Sequence, residues 1–268
     1  MVMIIEKNGD IKAAARSAID KFGGIKLPKK DAVVFIKPNV NTGGECPAST
    51  SKEVVAEVVK LCREAGAGKI YVGDRSWLGN PLLPNNSIKN MIQNGVKPAA
   101  EAEGAIVVGL ESRGWKKVKP EGATHWGGGF KITRFLDEIK PDYIISIPVL
   151  KTHYVTGVSF SLKNTVGLVY FPDRMRFHMA GDNIFPMIAE INLPFHFDLI
   201  IVDGSHAFIS GGPSEGECVQ PNMIIVGDNR VEVDIECYKI LQSLGMKMPW
   251  ARGEDHPMIA RAMELGIK

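Results

Sequence analysis

The stretch from Asp31 to Asp74 limits what this chain can fold into more than any other. DAVVFIKPN offers a short apolar run, Ala32 to Ile36, that Pro38 halts, so a buried strand ending at Lys37 to Asn39 is expected. A loop rich in Gly, Pro, Ser and Thr follows, and Ser49 to Ser51 can cap a helix. Val54, Val55, Val58, Val59 and Cys62 then recur at i, i+1, i+4, i+5 and i+8, one apolar face at helical spacing. Gly66 and Gly68 end that helix, and KIYVGD supplies the next strand. Strand, helix and strand within about 45 residues make a βαβ unit, which requires a parallel pair and a right-handed crossover.

The alternation continues. Ile106 to Val108, Tyr143 to Val149, Asp198 to Val202 and Met223 to Val226 read as strands. Helices are expected at Ile11 to Phe22, Ser87 to Asn94, Phe185 to Ile191, Val231 to Leu244 and His256 to Leu265. The sequence therefore implies an α/β fold: a mainly parallel sheet flanked by helices in a three-layer sandwich, as one domain over residues 1–268. The interval 110–131, with Trp115, a lysine cluster and Gly127-Gly128-Gly129, is expected to be an irregular insertion at the surface.

Composition removes several function classes. Lys and Arg number 32 against 30 Asp and Glu, a net charge of +2, and the sparse aromatics are not interleaved with basic residues. Neither the basic stripe nor the stacking platform of a nucleic-acid binder is there, so no nucleic-acid partner is expected. Glu6 and Asp10 interrupt the N-terminal apolar residues too early for a signal peptide, and no apolar run approaches the ~18 residues of a membrane span. A cytoplasmic location without membrane contact is the expectation. Cys46, Cys62, Cys218 and Cys237 stand far apart with no C-x-x-C, and read as buried thiols rather than ligands of a zinc or iron–sulfur centre.

The usual nucleotide loops and H-E-x-x-H have no match. Open α/β sheets instead collect ligands outside the carboxyl ends of their strands. Those ends carry Lys37 and Asn39; Asp74, Arg75 and Ser76; Lys151 and His153; Asp203, Ser205 and His206; and Asp228 and Asn229. Four or five of these sets are expected to converge on one crevice. The densest segment, Leu150 to Arg174, sets Lys151, His153, Ser159, Ser161, Lys163 and Asn164 in an apolar frame. Histidine titrates near neutral pH and serves as a general base or metal ligand, while a half-buried lysine becomes a nucleophile or clamps an anion. His178, beside Arg174 and Arg176, reads as a second ligand, an anion contact or a surface-loop histidine, and the glycine-rich run Gly204 to Glu217 as a lid, an anion nest or a long turn. His125, His196 and His256 read as structural.

Six blocks carry a resemblance: FIKPNVN, YVGDRS, IPVLKTHYVTGVSFSLKNTVGL, IIVDG, GDNRVEVDIECYKILQSLG and HPMIARAMELGI. From about Asp31 to Ile267 the chain resembles the "domain of unknown function 362" family, most specifically at Lys151-Thr-His153 and Ser161-Leu-Lys163-Asn164. Many members of that family also carry a ferredoxin-like module with four cysteines; no such cluster occurs here, so no iron–sulfur centre is expected from this chain. His153-Tyr-x-x-Gly157-x-Ser159, with Lys163 ten positions after the histidine, is also similar to a stretch of nickel-pincer lactate racemases. That similarity implies a proton-relaying His153 and a cofactor-tethering Lys163, although the racemases' histidine near Gly73-Asp74 and their second domain have no counterpart.

The expected function is an enzyme acting on a small carboxylate or phosphorylated metabolite, isomerase-like or associated with oxidoreduction. His153, Lys163 and Lys151 are its candidate catalytic residues. Lys37, Asn39, Asp74, Arg75, Ser76, Ser159, Ser161 and Asn164 are candidates for substrate binding, with Asp203 and His178 as ligands of a divalent metal. The alternative is a non-catalytic ligand-binding or redox-accessory module partnering an iron–sulfur protein. A second copy of the chain or a redox protein is the partner either reading allows.

Overall fold

The computed structural model describes residues 3–6, 10–77 and 86–268, the first four as backbone only. Strands β1 (Met3–Glu6), β2 (Val33–Pro38), β3 (Lys69–Asp74) and β4 (Ile106–Gly109) alternate with helices α1 (Ile11–Phe22), α2 (Lys52–Glu64), α3 (Asn86–Gln93) and α4 (Val96–Ala102). A hairpin of β5 (Trp115–Val118) and β6 (Phe130–Thr133) and the short α5 (Phe135–Ile139) come next. β7 (Tyr143–Ile147), β8 (Val149–His153), β9 (Gly157–Ser159), α6 (Ser161–Asn164), α7 (Phe171–His178) and α8 (Ile184–Glu190) follow. The chain then forms β10 (Leu199–Gly211), β11 (Gly216–Val219), β12 (Met223–Gly227), α9 (Arg230–Ser243) and α10 (Pro257–Glu264).

Among the described residues ten strands share one sheet, whose main path is β1-β12-β10-β7-β2-β3-β4. From β10 to β4 every pairing on that path is parallel, while β12 and β1 are antiparallel additions at one edge. Neighbouring residues of one strand belong to different cores, because successive side chains leave opposite faces. Phe35, Ile200 and Val202 join α8, α9 and α10, whereas Val34, Ile36, Leu199 and Ile201 join α1 and α2. Burial on both faces is why these strands are continuous apolar runs, and it produces the three layers that the sequence implies.

Three expectations need correction. The interval 110–131 is not simply a surface excursion: Trp126 is completely buried and donates from Nε1 to the Met187 carbonyl at 3.0 Å, pinning the insertion to the core. The apolar run Tyr143 to Val149 is not one strand. It breaks at Pro148, so β7 continues the sheet while β8 turns aside to pair with the distal half of β10 and with β9. Most of the glycine-rich Gly204 to Glu217 run is strand rather than lid or nest, since β10 continues to Gly211 and only 212–215 turn. Of the cysteines, Cys62 and Cys237 are buried as expected, Cys46 is partly covered and Cys218 is exposed. Among the described residues, no helix is long and apolar enough to cross a membrane.

Candidate functional site: a cationic cleft at the strand ends

Chain entering from β2, β3 and β8 meets at one cleft of about 70 Å³, closed by α6, α7 and the turn at Pro213. The parallel strands all end on this side, so whatever follows them is delivered to one place. Lys37 and Asn39 arrive from β2, Asp74 and Arg75 from β3, Lys151 and His153 from β8, and Ser159 from β9. Lys163 and Asn164 come from α6, and Arg174 and His178 from α7.

Two of the three lysines are saturated. Lys37 Nζ pairs with Asp74 Oδ1 at 2.8 Å and donates to Asn164 Oδ1 and the Pro38 carbonyl, both at 3.0 Å. Lys151 Nζ sits among four oxygens: Asn39 Oδ1 at 2.9 Å and the carbonyls of Ala48 (2.6 Å), Pro47 (3.0 Å) and Pro213 (3.2 Å). Burial pushes Lys151 down to about 7, but four surrounding acceptors favour the ammonium, which has three protons to donate. Lys151 is therefore a tie between the β2–α2 loop and the β10–β11 turn.

Lys163 differs. Its side chain is buried and lines the cleft, yet no hydrogen bond or ion pair reaches its Nζ among the described residues. Burial, helped by the Arg174 guanidinium, brings it down to about 7, so amine and ammonium coexist near neutral pH. Its helix is held rigidly. The carboxylate of Asp234, on α9, accepts from Ser161 N at 2.8 Å and Leu162 N at 3.1 Å, capping α6 from behind. Asn164 accepts from Lys37 and donates to the Lys37 carbonyl (3.2 Å) and Ser146 Oγ (2.9 Å).

The two histidines are set in opposite tautomers. His153 Nδ1 accepts from the backbone N–H of Val155 (3.1 Å) and Thr156 (3.4 Å), which leaves the proton of the neutral ring on Nε2. Burial, then the charges of Lys163 and Lys151, keep His153 well below its usual range. His178 instead donates from Nδ1 to the Arg174 carbonyl at 3.1 Å, leaving Nε2 as a lone pair, and burial takes it down to about 4. Trp77 stacks on His178 at 4.6 Å and Tyr154 on His153 at 5.4 Å. His256, structural as expected, caps α10 and holds the Thr156 carbonyl at 2.8 Å, which steadies the turn that orients His153.

Sequence reasoning missed three contributors. Among the described residues Arg174 is buried and donates only to carbonyls, those of Val169 (3.0 Å), Arg75 (3.0 Å) and Ser76 (3.4 Å), with no carboxylate partner; burial and Arg75 push it down to about 9. Its place in LVYFPDRMRFH carried one signal, an arginine two residues after a proline that starts a helix, but nothing local said which way it faced. Gly167 is the second. A Cβ there would lie 1.9 Å from Asp74 Oδ1 and 2.5 Å from Lys37 Nζ, so the ion pair presses directly on its backbone. Asp234 is the third, and burial pushes it up to about 8 against the pull of the two α6 N–H groups.

Several expected residues lie elsewhere. Asp203 is fully buried in β10, its oxygens taken by Ser51 N (2.8 Å), Ser205 N (3.0 Å) and Ser205 Oγ (2.7 Å), and it does not line the cleft. The Asp203–His178 metal pair is thus not assembled. Among the described residues no group of three or more His, Cys, Asp and Glu is placed to hold a metal ion. Ser76 and Ser161 are buried beside the cleft without lining it. Asp228 and Asn229 follow β12, which runs antiparallel, so they emerge at the opposite end of the sheet near Tyr143 and His196. Three strand ends converge where four or five were expected.

Counted among the described residues, the cleft is lined by five cationic side chains and a single carboxylate, Asp74, already paired with Lys37. That donor set suits an anion and suits a divalent cation poorly.

A crystal structure of a Thermotoga maritima protein from the Northeast Structural Genomics Consortium shares the fold, with a TM-score of 0.52 and 13% identity. The alignment covers 87% of this chain and 57% of that one, so this chain spans little more than half of that protein. A thylakoid-associated protein of Synechocystis sp. is 29% identical over 247 residues, 87% of this chain and 71% of the relative. The family model described as "Domain of unknown function (DUF362)" matches residues 34–239, a span that holds every cleft residue named above, and the chain belongs to that family.

Proposed function

We propose that the cleft binds a small metabolite bearing a carboxylate or phosphate and that the protein is an enzyme performing proton transfer on it. The observation that carries this reading is Lys163, without a partner among the described residues, beside four other buried cations. Charges buried without counter-ions cost several kcal/mol each, and an anionic ligand would remove that cost. Lys163, Arg75 and Arg174 would hold the anion. Arg75 keeps a buried Nε without an acceptor and packs its guanidinium 5.0 Å from the Phe171 ring, so it too has a donor to offer. His153, neutral with its proton on Nε2, would donate to a developing oxyanion, and His178, with a free Nε2 lone pair, would accept a proton.

Simple anions serve as probes for the test. Binding of lactate, 3-phosphoglycerate and inorganic phosphate is measured by calorimetry, and α-proton exchange of bound lactate in heavy water is followed by NMR. Binding that Lys163→Ala weakens at least tenfold supports the anion site. Exchange that His153→Ala abolishes while affinity persists supports an enzyme; binding with no exchange of any ligand would favour the accessory module instead.

A further inference from the structure

The three lysines of the cleft are not equivalent, and the difference names a substrate class. Lys37 and Lys151 are surrounded by oxygens that fix their ammonium groups, whereas Lys163 Nζ has no acceptor among the described residues. An acceptor cage would hold the proton on the amine; without one, Lys163 can present an ammonium to an anion or a lone pair to a carbonyl. Lys163 also stands on a helix clamped at both ends, by Asp234 on the Ser161 and Leu162 N–H groups and by the Asn164 contacts. Rigid placement of a nucleophile is what addition to a carbonyl demands.

We infer that Lys163 captures the carbonyl of a small oxo acid as an imine, the acid's carboxylate being held by the neighbouring guanidinium groups. The inference rests on the anion-binding reading above. The amine lone pair attacks the carbonyl carbon, and the C=O π pair moves to oxygen, which takes up a proton as the nitrogen gives one up. The carbinolamine then loses its hydroxyl, with a second proton, as water, leaving C=N. No electron donor or acceptor is needed. His153 and His178 line the same cleft as proton donor and acceptor, and the Lys163 charge acts on both. The depressed proton affinity of Lys163 keeps part of it as free amine at neutral pH.

The experiment is reductive trapping of the full chain with pyruvate, and separately glyoxylate, in sodium cyanoborohydride, read by intact mass and peptide mapping. Lactate binding to the same protein is measured in parallel. The expected result is one adduct per chain on the Lys163 peptide, suppressed by excess lactate and lost in Lys163→Arg, whose fold is checked by its thermal melt. Lactate binding with no adduct, or with adducts only on exposed lysines, would overturn the imine and leave the anion site standing. An adduct at Lys163 that persists under excess lactate would also overturn the inference, because the carboxylate would not be guiding capture. Absence of any binding by lactate, pyruvate and glyoxylate, with no adduct, would overturn both readings.

Discussion

The two ends of the parallel sheet use charge in opposite ways. At the amino end, aspartates stitch the strands together. Asp142 accepts from Val33 N at 2.9 Å and pairs with the exposed Lys29 at 2.8 Å, and Asp198 accepts from Ile144 N at 2.7 Å beside His196. Each charge there faces water or a partner, and the Lys29 contact holds Asp142 below the usual carboxylate range. At the carboxyl end, five cations are withdrawn from water around one carboxylate. Electrostatics at the first end closes strands. At the second it is left unbalanced, an arrangement that folding alone does not favour and that a ligand would complete.

That contrast can be broken by substitution. The largest effect is expected from Asp74→Asn, which leaves Lys37 buried without its counter-charge and should cost about 3–5 kcal/mol in urea unfolding. Gly167→Ala should cost about 1–3 kcal/mol by displacing the same ion pair, and Asp74→Asn and Gly167→Ala together should cost less than their sum. Lys163→Met should act in the opposite direction, raising stability by about 1 kcal/mol or more while abolishing anion binding. A loss of stability there would mean that the cation is structural and would collapse the contrast. At the amino end, Asp142→Asn keeps an acceptor for Val33 N and should leave the unfolding midpoint unchanged.

The pH dependence sharpens the same point. Lys163 is lowered from 10.5 unfolded to about 7 folded, so between these values the unfolded chain holds a proton that the folded chain has released. Lys163 therefore costs the fold least above about pH 10.5, where it is neutral in both states; the cost grows as pH falls and is complete below about 7. Lys163→Met should flatten that part of the stability profile. An anion binding beside Lys163 should in turn draw a proton on to it near pH 7, seen as proton uptake when calorimetry is repeated in buffers of different ionisation enthalpy.

Much of this architecture is legible in local patterns. The alanine-rich run Ile11 to Phe22 is α1 at both boundaries, and the valine stripe of Val54 to Cys62 is the buried face of α2. The βαβ unit is realised as β2, α2 and β3 with β2 and β3 parallel. Lys37, Asn39, Asp74, Arg75, Lys151 and His153 do meet, because ends of parallel strands share one side of a sheet, and Ser159, Lys163, Asn164 and His178 join them from β9, α6 and α7. Asp203 and Asp228 fail the same rule for reasons no local pattern holds. β10 runs on past Asp203 because β8 and β11 pair with its distal half, and β12 reverses direction. α4 is a different failure: Pro98 argues against a helix, but at the third position of Val96–Ala102 the missing N–H is one a first turn leaves unpaired anyway.

Hydrophobic periodicity and chain punctuation, both properties of neighbours along the chain, were enough to determine the layers of this protein, the order of most of its elements and the segment that supplies much of the cleft lining. What each polar group does was decided only in three dimensions. Lys37, Lys151 and Lys163 are equivalent as letters; among the described residues one is paired, one is caged and one has no partner, and the partners that separate them lie 37, 103 and more residues away. Burial and the distance to the nearest opposite charge set a lysine's proton affinity, and both are sums over the whole fold.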